Sequence, residues 1–134
     1  MAESRFRRTA GGVSSLGLHL VWCPRYRRRL LGGCVAVRLG ELLERIAAEN
    51  GWEIVAGEVM ADHVHLFVRV RPVDAPAQVV RKFEGRTVRV LRQECRWLAD
   101  SEVLWSPSYL AGSVGSVSAA TVRRYLEHGW DAVA

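Results

Sequence analysis

Asp62-His63-Val64-His65-Leu66-Phe67-Val68 alternates imidazoles with aliphatic side chains and then runs into two more apolar residues. This is the period-2 pattern of a strand with one buried face. Successive side chains leave a strand on opposite sides, so Val64 and Leu66 anchor it to a core while His63 and His65 share the other side. Their Cα atoms then lie ~7 Å apart, and two neutral imidazoles at that spacing can converge on one divalent cation. The plain alternative is a half-exposed strand with a polar face.

The rest of the chain frames that choice. Its 134 residues, 49% of them hydrophobic, suffice for one domain with a real core. Apolar runs are broken within a few residues by Arg, Glu or Gly, short of the ~20 that a membrane span needs, so no membrane contact is expected. Residues 1–15 carry Arg5, Arg7 and Arg8 without an apolar stretch behind them, and read as a flexible basic arm ahead of a single domain at 16–134. Cys23, Cys34 and Cys95 are odd in number and lack a CxxC spacing. That argues against a disulfide framework or a zinc site, fits a reducing cytoplasm, and leaves the cysteines as core filler.

The net charge of +5 is unevenly spread: residues 1–40 hold eight arginines against Glu3 alone, and residues 76–99 hold six basic residues against Glu84 and Glu94. Clustered positive charge is the footprint of a polyanion-binding surface, and the guanidinium fork suits phosphate. Arg25, Tyr26, Arg27, Arg28 and Arg29 follow one another closely, so phosphate contacts can accompany stacking of the ring on a base. A solvated turn is the other reading.

Leu16 to Cys23 alternates Leu18, Leu20 and Trp22 with His19 and Val21, predicting a first strand that Pro24 ends. Val35, Leu39, Leu42, Leu43, Ile46 and Ala47 recur with helical period up to Asn50 and Gly51. Trp52 to Met60 reads as a second strand, with Trp52, Ile54, Ala56 and Glu58 on one side, joined to the histidine strand by a short turn. A long helix is expected over Ala77 to Leu98, with Val80, Phe83, Val90, Leu91 and Leu98 inward and Arg81, Arg89, Arg92 and Arg96 on another face. Gly85 within it costs about 1 kcal/mol relative to Ala, for which close backbone approach is the available reason. Tyr109 to Val114 forms a short strand, and Ser118 caps a last helix running from Ala119 to about His128. The order β-α-β-β-α-β plus a C-terminal helix predicts an α+β fold: an antiparallel, ferredoxin-like (RRM-like) sheet with two helices on one face and the tyrosine on the added helix.

Five stretches in this order resemble one family: His19-Leu20-Val21-Trp22-Cys23-Pro24-Arg25-Tyr26-Arg27, Asp62-His63-Val64-His65-Leu66, Leu104-Trp105-Ser106-Pro107-Ser108-Tyr109, Gly112-Ser113-Val114-Gly115 and Tyr125-Leu126. They are similar to the single-tyrosine HUH transposases of the insertion sequence 200/605 family (TnpA-like), over roughly residues 16–130. The resemblance implies nicking and rejoining of single-stranded DNA at hairpin-flanked ends through a covalent 5′-phosphotyrosine. It also implies a homodimer with active sites shared between subunits, and Mg²⁺ or Mn²⁺ as cofactor. His63 and His65 would be the metal ligands, Tyr125 the nucleophile, and His19 a DNA-facing residue. The arginine turn, Arg81, Arg89, Arg92 and Arg123 would contact nucleic acid.

The chemistry suits those roles: a phenol of pKa about 10 is a weak nucleophile, a cation on the phosphate stabilises the transition state, and a covalent ester retains the energy needed for rejoining. The other reading of Tyr125 is a packing residue. Arg123 and Arg124 could lower its pKa or be an exposed basic face. One departure stands out. The family's Gln, one turn after the tyrosine, is here Gly129, which offers no side-chain donor. His128, about 60° from Tyr125 around the helix, is the expected third ligand, with Glu127, Asp131 or water as alternatives. A catalytically weakened or domesticated hairpin-binding protein of the same fold, for DNA or RNA, is the competing function.

Overall fold

The computed structural model describes residues 8–9, 12–13, 16–98, 104–113 and 119–128. Within the segment expected as an arm, β1 (Arg8–Thr9) pairs antiparallel with β2 (Gly12–Val13). The elements that follow are β3 (Leu16–Trp22), α1 (Gly33–Glu49), β4 (Glu53–Met60), β5 (His63–Val70), α2 (Pro76–Glu94), β6 (Leu110–Ser113) and α3 (Ala119–Glu127). Ser118, the expected cap of α3, lies outside the described residues. The four longer strands form one antiparallel sheet in the order β4-β5-β3-β6, so the fold is α+β.

The two periodicities build the core. Leu18, Leu20 and Trp22 of β3 and Val64, Leu66, Val68 and Val70 of β5 bury one sheet face against Val35, Leu39, Leu42, Leu43 and Ile46 of α1 and Val79, Val80, Phe83 and Leu91 of α2. Each such aliphatic side chain contributes roughly 1.5–3 kcal/mol by leaving water. The opposite face is covered locally by α3, where Tyr125 packs with Val21 and Cys23 beside Leu110, Val122 and Leu126. The third helix therefore makes a third layer: two helices lie on one face and the tyrosine helix on the other.

Several local expectations change. Helix α2 ends at Glu94 rather than Leu98: Cys95 turns extended (φ −116, ψ 91), and Leu98 enters the core from a short 3-10 turn. The apolar period runs on through Leu98, so the pattern carried no mark of the break. Thr87 joins the inward stripe, with Val90 half-buried against the same core; the Thr87 hydroxyl donates to the Phe83 carbonyl at 2.7 Å and accepts the Trp105 indole N–H at 3.1 Å. Strand β4 has an irregularity between Ile54 and Ala56, so its facing shifts and Ile54 and Val59 pack on the same core. A Cβ at Gly57 would stand 2.8 Å from Leu66 Cδ2, which explains that glycine, whereas one at Gly85 would meet nothing within 4 Å. Close approach therefore does not account for Gly85. Finally, Cys34 is exposed at the start of α1 and is not core filler.

Thr87→Val preserves volume but leaves the buried Trp105 N–H without its acceptor. The expected cost is about 1–3 kcal/mol, read from the midpoint shift in chemical denaturation.

Candidate active site

Alternation along β5 leaves His63, His65, Phe67 and Arg69 on the face away from the core. Register then brings His19 of β3 opposite Phe67. The His19 ring stacks on Phe67 with centroids 4.8 Å apart and lies 5.7 Å from His65. Burial, aided by the nearby His19 and His63, pushes the His65 pKa down, which favours the neutral imidazole a metal requires. His63 is oriented from behind, its Nδ1 donating to Asp62 Oδ1 at 2.8 Å. An ionised carboxylate only accepts, so Nδ1 carries a proton, and the neutral form of the ring would leave the Nε2 lone pair for a ligand.

The other Asp62 oxygen accepts from Arg27 Nε at 2.8 Å, and Arg27 Nη1 donates to the Leu126 carbonyl of α3 at 2.6 Å. Burial works to raise the Asp62 pKa, but the His63 hydrogen bond and the Arg27 charge outweigh it and hold the carboxyl below its usual range. One guanidinium thus ties the histidine strand to the tyrosine helix, placing positive charge near that helix's C-terminal end, where the dipole favours it. To reach both partners the backbone turns left-handed at Tyr26 (φ 63) and Arg27 (φ 53), a conformation costing roughly 1–3 kcal/mol per non-glycine residue. Arg27, expected on phosphate, is therefore committed within the protein.

Tyr125 is 8% exposed. Its hydroxyl donates to the Ser108 carbonyl at 3.0 Å, with Ser108 Oγ at 3.3 Å and Cys23 Sγ at 3.9 Å. Burial raises the phenol pKa well above its ordinary value; the Ser108 hydrogen bond opposes this only in part, and Cys23 adds to it. The exposed Arg123 and Arg124 do not lower it. Burial likewise pushes the Cys23 thiol up to about 11. In this seat the tyrosine is held neutral, with its hydroxyl directed to Ser108.

Between the histidine face and α3 lies a cleft of about 660 Å³ lined by His19, Arg27, His65, Ala119, Val122, Arg123, Leu126 and Glu127. Arg123 lines the cleft, and so does Glu127, one of the alternatives to His128. His128 is exposed at the helix end, its N–H on the Arg124 carbonyl. Gly129 and Asp131 lie outside the described residues. Among the described residues no three His, Cys, Asp or Glu side chains converge as a metal cluster. Beside the cleft, Tyr26 is 65% exposed, with the Arg25 guanidinium 5.1 Å from its ring centre. Arg28 Nε donates to the Arg25 carbonyl at 3.1 Å, and Arg29 is exposed. Arg81, Arg89 and Arg92 sit on α2, behind the opposite sheet face, and form a separate basic surface. Sequence reasoning gave Cys23 and Ser108 no role at the tyrosine. Their only signal was membership of the motif stretches.

Known proteins resemble this chain in sequence and fold. The family profile described as "Transposase IS200 like" matches residues 12–129. The ISDra2 transposase TnpA of Deinococcus radiodurans is 36% identical over 127 residues, covering 90% of this chain and 89% of that protein. The transposase for insertion sequence element IS200 of Salmonella typhimurium is 22% identical over 113 residues, covering 82% and 74%. Among solved structures, a Deinococcus radiodurans R1 protein assigned as a transposase superposes with a TM-score of 0.82 at 33% identity, covering 95% of this chain and 96% of its own. A REP-associated tyrosine transposase bound to a REP hairpin shares the fold at a TM-score of 0.57 and 16% identity, covering 97% and 76%.

Arg27→Ala removes the tie between Asp62 and α3. Amide exchange in α3 should accelerate at least tenfold, about the loss of 1.4 kcal/mol or more from a charge-assisted hydrogen bond, while α1 and α2 keep their protection. Unchanged exchange in α3 would show that the helix is held by other contacts.

Proposed function

This chain belongs to the IS200-like transposase family, and from that premise we propose how its own residues carry out the reaction. As a member it is a tyrosine-dependent HUH transposase acting on single-stranded DNA. The observation that carries the residue assignment is the pairing of a neutral His65 with a tautomer-fixed His63 on one wet strand face, with α3 laid against that face.

His63 and His65 are the metal ligands in this reading, with Glu127 better placed than His128 as a third donor because it lines the cleft. The donor set of imidazole nitrogen and carboxylate oxygen suits Mg²⁺ or Mn²⁺, which when bound would polarise the scissile phosphate. Tyr125 is the nucleophile. Its oxygen forms the bond to phosphorus as the bond to the 3′ oxygen breaks, leaving a 5′-phosphotyrosine; the phenol loses a proton and the freed 3′-hydroxyl gains one. Asp62 fixes the His63 tautomer, and Arg27 positions Asp62 against α3. Arg25, Tyr26, Arg28, Arg29, Arg123 and His19 hold the strand near the cleft, through phosphate contact and stacking.

The Ser108 seat keeps the Tyr125 hydroxyl occupied, so cutting requires α3 to release it. We take this as support for delivery of the tyrosine to the histidine pair of a partner subunit in a homodimer. The sheet order β4-β5-β3-β6 with α1 and α2 on one face supports naming the architecture ferredoxin-like, and residues 16–134 are read as one domain. No described helix is long and apolar enough to cross a membrane; a cytoplasmic location and hairpin-bearing DNA as substrate complete the proposal. The second reading, a hairpin binder with decayed chemistry, draws on the buried tyrosine and on Gly129.

Tyr125→Phe should abolish the covalent protein–DNA adduct on denaturing gels while leaving oligonucleotide binding within a few-fold of wild type. His63→Ala, His65→Ala and metal chelation should each abolish cleavage without abolishing binding, since phosphate contacts carry most affinity. Adduct from Tyr125→Phe would move the nucleophile elsewhere; cleavage in excess chelator would sink the metal. No adduct from the wild type would favour the decayed binder.

Mixing inactive Tyr125→Phe with inactive His63→Ala/His65→Ala protein should restore cleavage, because each heterodimer has one intact shared site. Absence of recovery despite demonstrated subunit exchange would place the whole site within one chain.

A further inference from the structure

We propose that the cleft between α2 and the Leu104–Trp105 segment is a second nucleic-acid site, in which Glu84 reads the Watson–Crick edge of an unstacked guanine. The cleft has a volume of about 330 Å³, room for one base, and lies behind the sheet face opposite the histidines. The inference rests on single-stranded DNA being the substrate; Glu84 also lies within electrostatic reach of Cys23 and Tyr125, so the test reads binding rather than cleavage.

Glu84 is the anomaly that points to a ligand. Its Oε2 is buried with no hydrogen-bond partner among the described residues, although Arg81 and Arg92 line the same cleft. Burial alone lifts its pKa to about 8. An unpartnered buried carboxyl lowers stability, and such a group in a native fold needs a reason. A ligand bringing N–H donors supplies one, and also favours the ionised carboxylate.

Gly85 is the second observation. It is exposed within α2, where glycine is unfavourable, and a Cβ there would meet nothing within 4 Å, so packing does not require it. It does line the cleft, and the missing side chain keeps the opening clear for a flat ring to approach the helix. The far wall is rigid and apolar: Trp105 is fixed by its N–H bond to Thr87 at 3.1 Å, beside Leu104 and Val88. The exposed Arg81 can reach a phosphate outside.

Guanine matches this site through two adjacent donors, N1–H and N2–H, which meet both oxygens of one carboxylate. Thymine offers one N–H between carbonyls; cytosine and adenine each set one amino group beside an acceptor nitrogen. Recognition of an extruded base by its Watson–Crick edge against apolar walls is a general mode of reading single strands.

The test compares a short thymine-only oligonucleotide with the same strand carrying one central dG, dC or dA. Binding is followed by fluorescence polarisation near pH 8 in excess chelator. Wild-type protein should bind the dG strand about tenfold more tightly than the all-thymine strand. Glu84→Gln should lose that preference, keep its all-thymine affinity and gain thermal stability; Gly85→Leu, which fills the opening, should lose the preference as well. Free dGMP should compete poorly with the dG strand, because a strand adds phosphate contacts. Equal preference for all strands by the wild type, a dG preference surviving in Glu84→Gln, or dGMP competing as well as the strand would overturn the assignment. Absence of binding to every strand would instead defeat the single-stranded DNA premise.

Discussion

The strict alternation of β5 is the constraint on which the rest depends. Paired on both sides, by β4 and β3, the strand must seal the core with Val64, Leu66, Val68 and Val70. A one-residue slip would bury His63 and His65 and expose that aliphatic row. The hydrophobic register that stabilises the sheet therefore also aims the imidazoles. Fold and site share one source of free energy, and neither can drift without the other.

Around that strand, the polar connections are few and long-range. Arg27 spans from the first turn to Asp62 and on to Leu126, and the backbone accepts two left-handed residues to let it do so. Strain of this size persists only where surrounding bonds over-determine it. Here those bonds are charge-assisted and fix the geometry between the histidine strand and the tyrosine helix. The tyrosine hydroxyl, by contrast, is held by Ser108 and Cys23 in a buried seat that disfavours its ionisation. The phenol is thus kept neutral and hydrogen-bonded inside the fold.

The two sheet faces divide the basic charge. Arg27 and Arg123 belong to the histidine side, while Arg81, Arg89 and Arg92 lie with α2 on the other. Several guanidiniums are partly neutralised within the fold, Arg38 by Glu94 and Arg86 by Glu49. A count of arginines therefore overstates the charge available to a polyanion. On the α2 side, Arg81 and Arg92 line a cleft where Glu84 Oε2 is buried without a hydrogen-bond partner among the described residues.

Sequence by itself determined the elements and the facing of the core strands, because periods of 2 and 3.6 are local and the core enforces them. The placement of His63 and His65 on one strand and of Tyr125 on the last helix was legible for the same reason: each belongs to a short motif on one element. The break of α2 at Cys95 and the irregularity in β4 were not, since apolar periodicity continues across both. Only the tertiary structure decided that α3 covers the histidine face, that Arg27 is spent on Asp62 and Leu126, that Glu127 rather than His128 enters the cleft, and that Ser108 and Cys23 receive the tyrosine. Each of these joins residues from separate elements, 17 residues apart for Ser108 and Tyr125 and 102 for Cys23 and Tyr125. Their pairing is set by how layers stack, and a linear pattern holds no record of that distance.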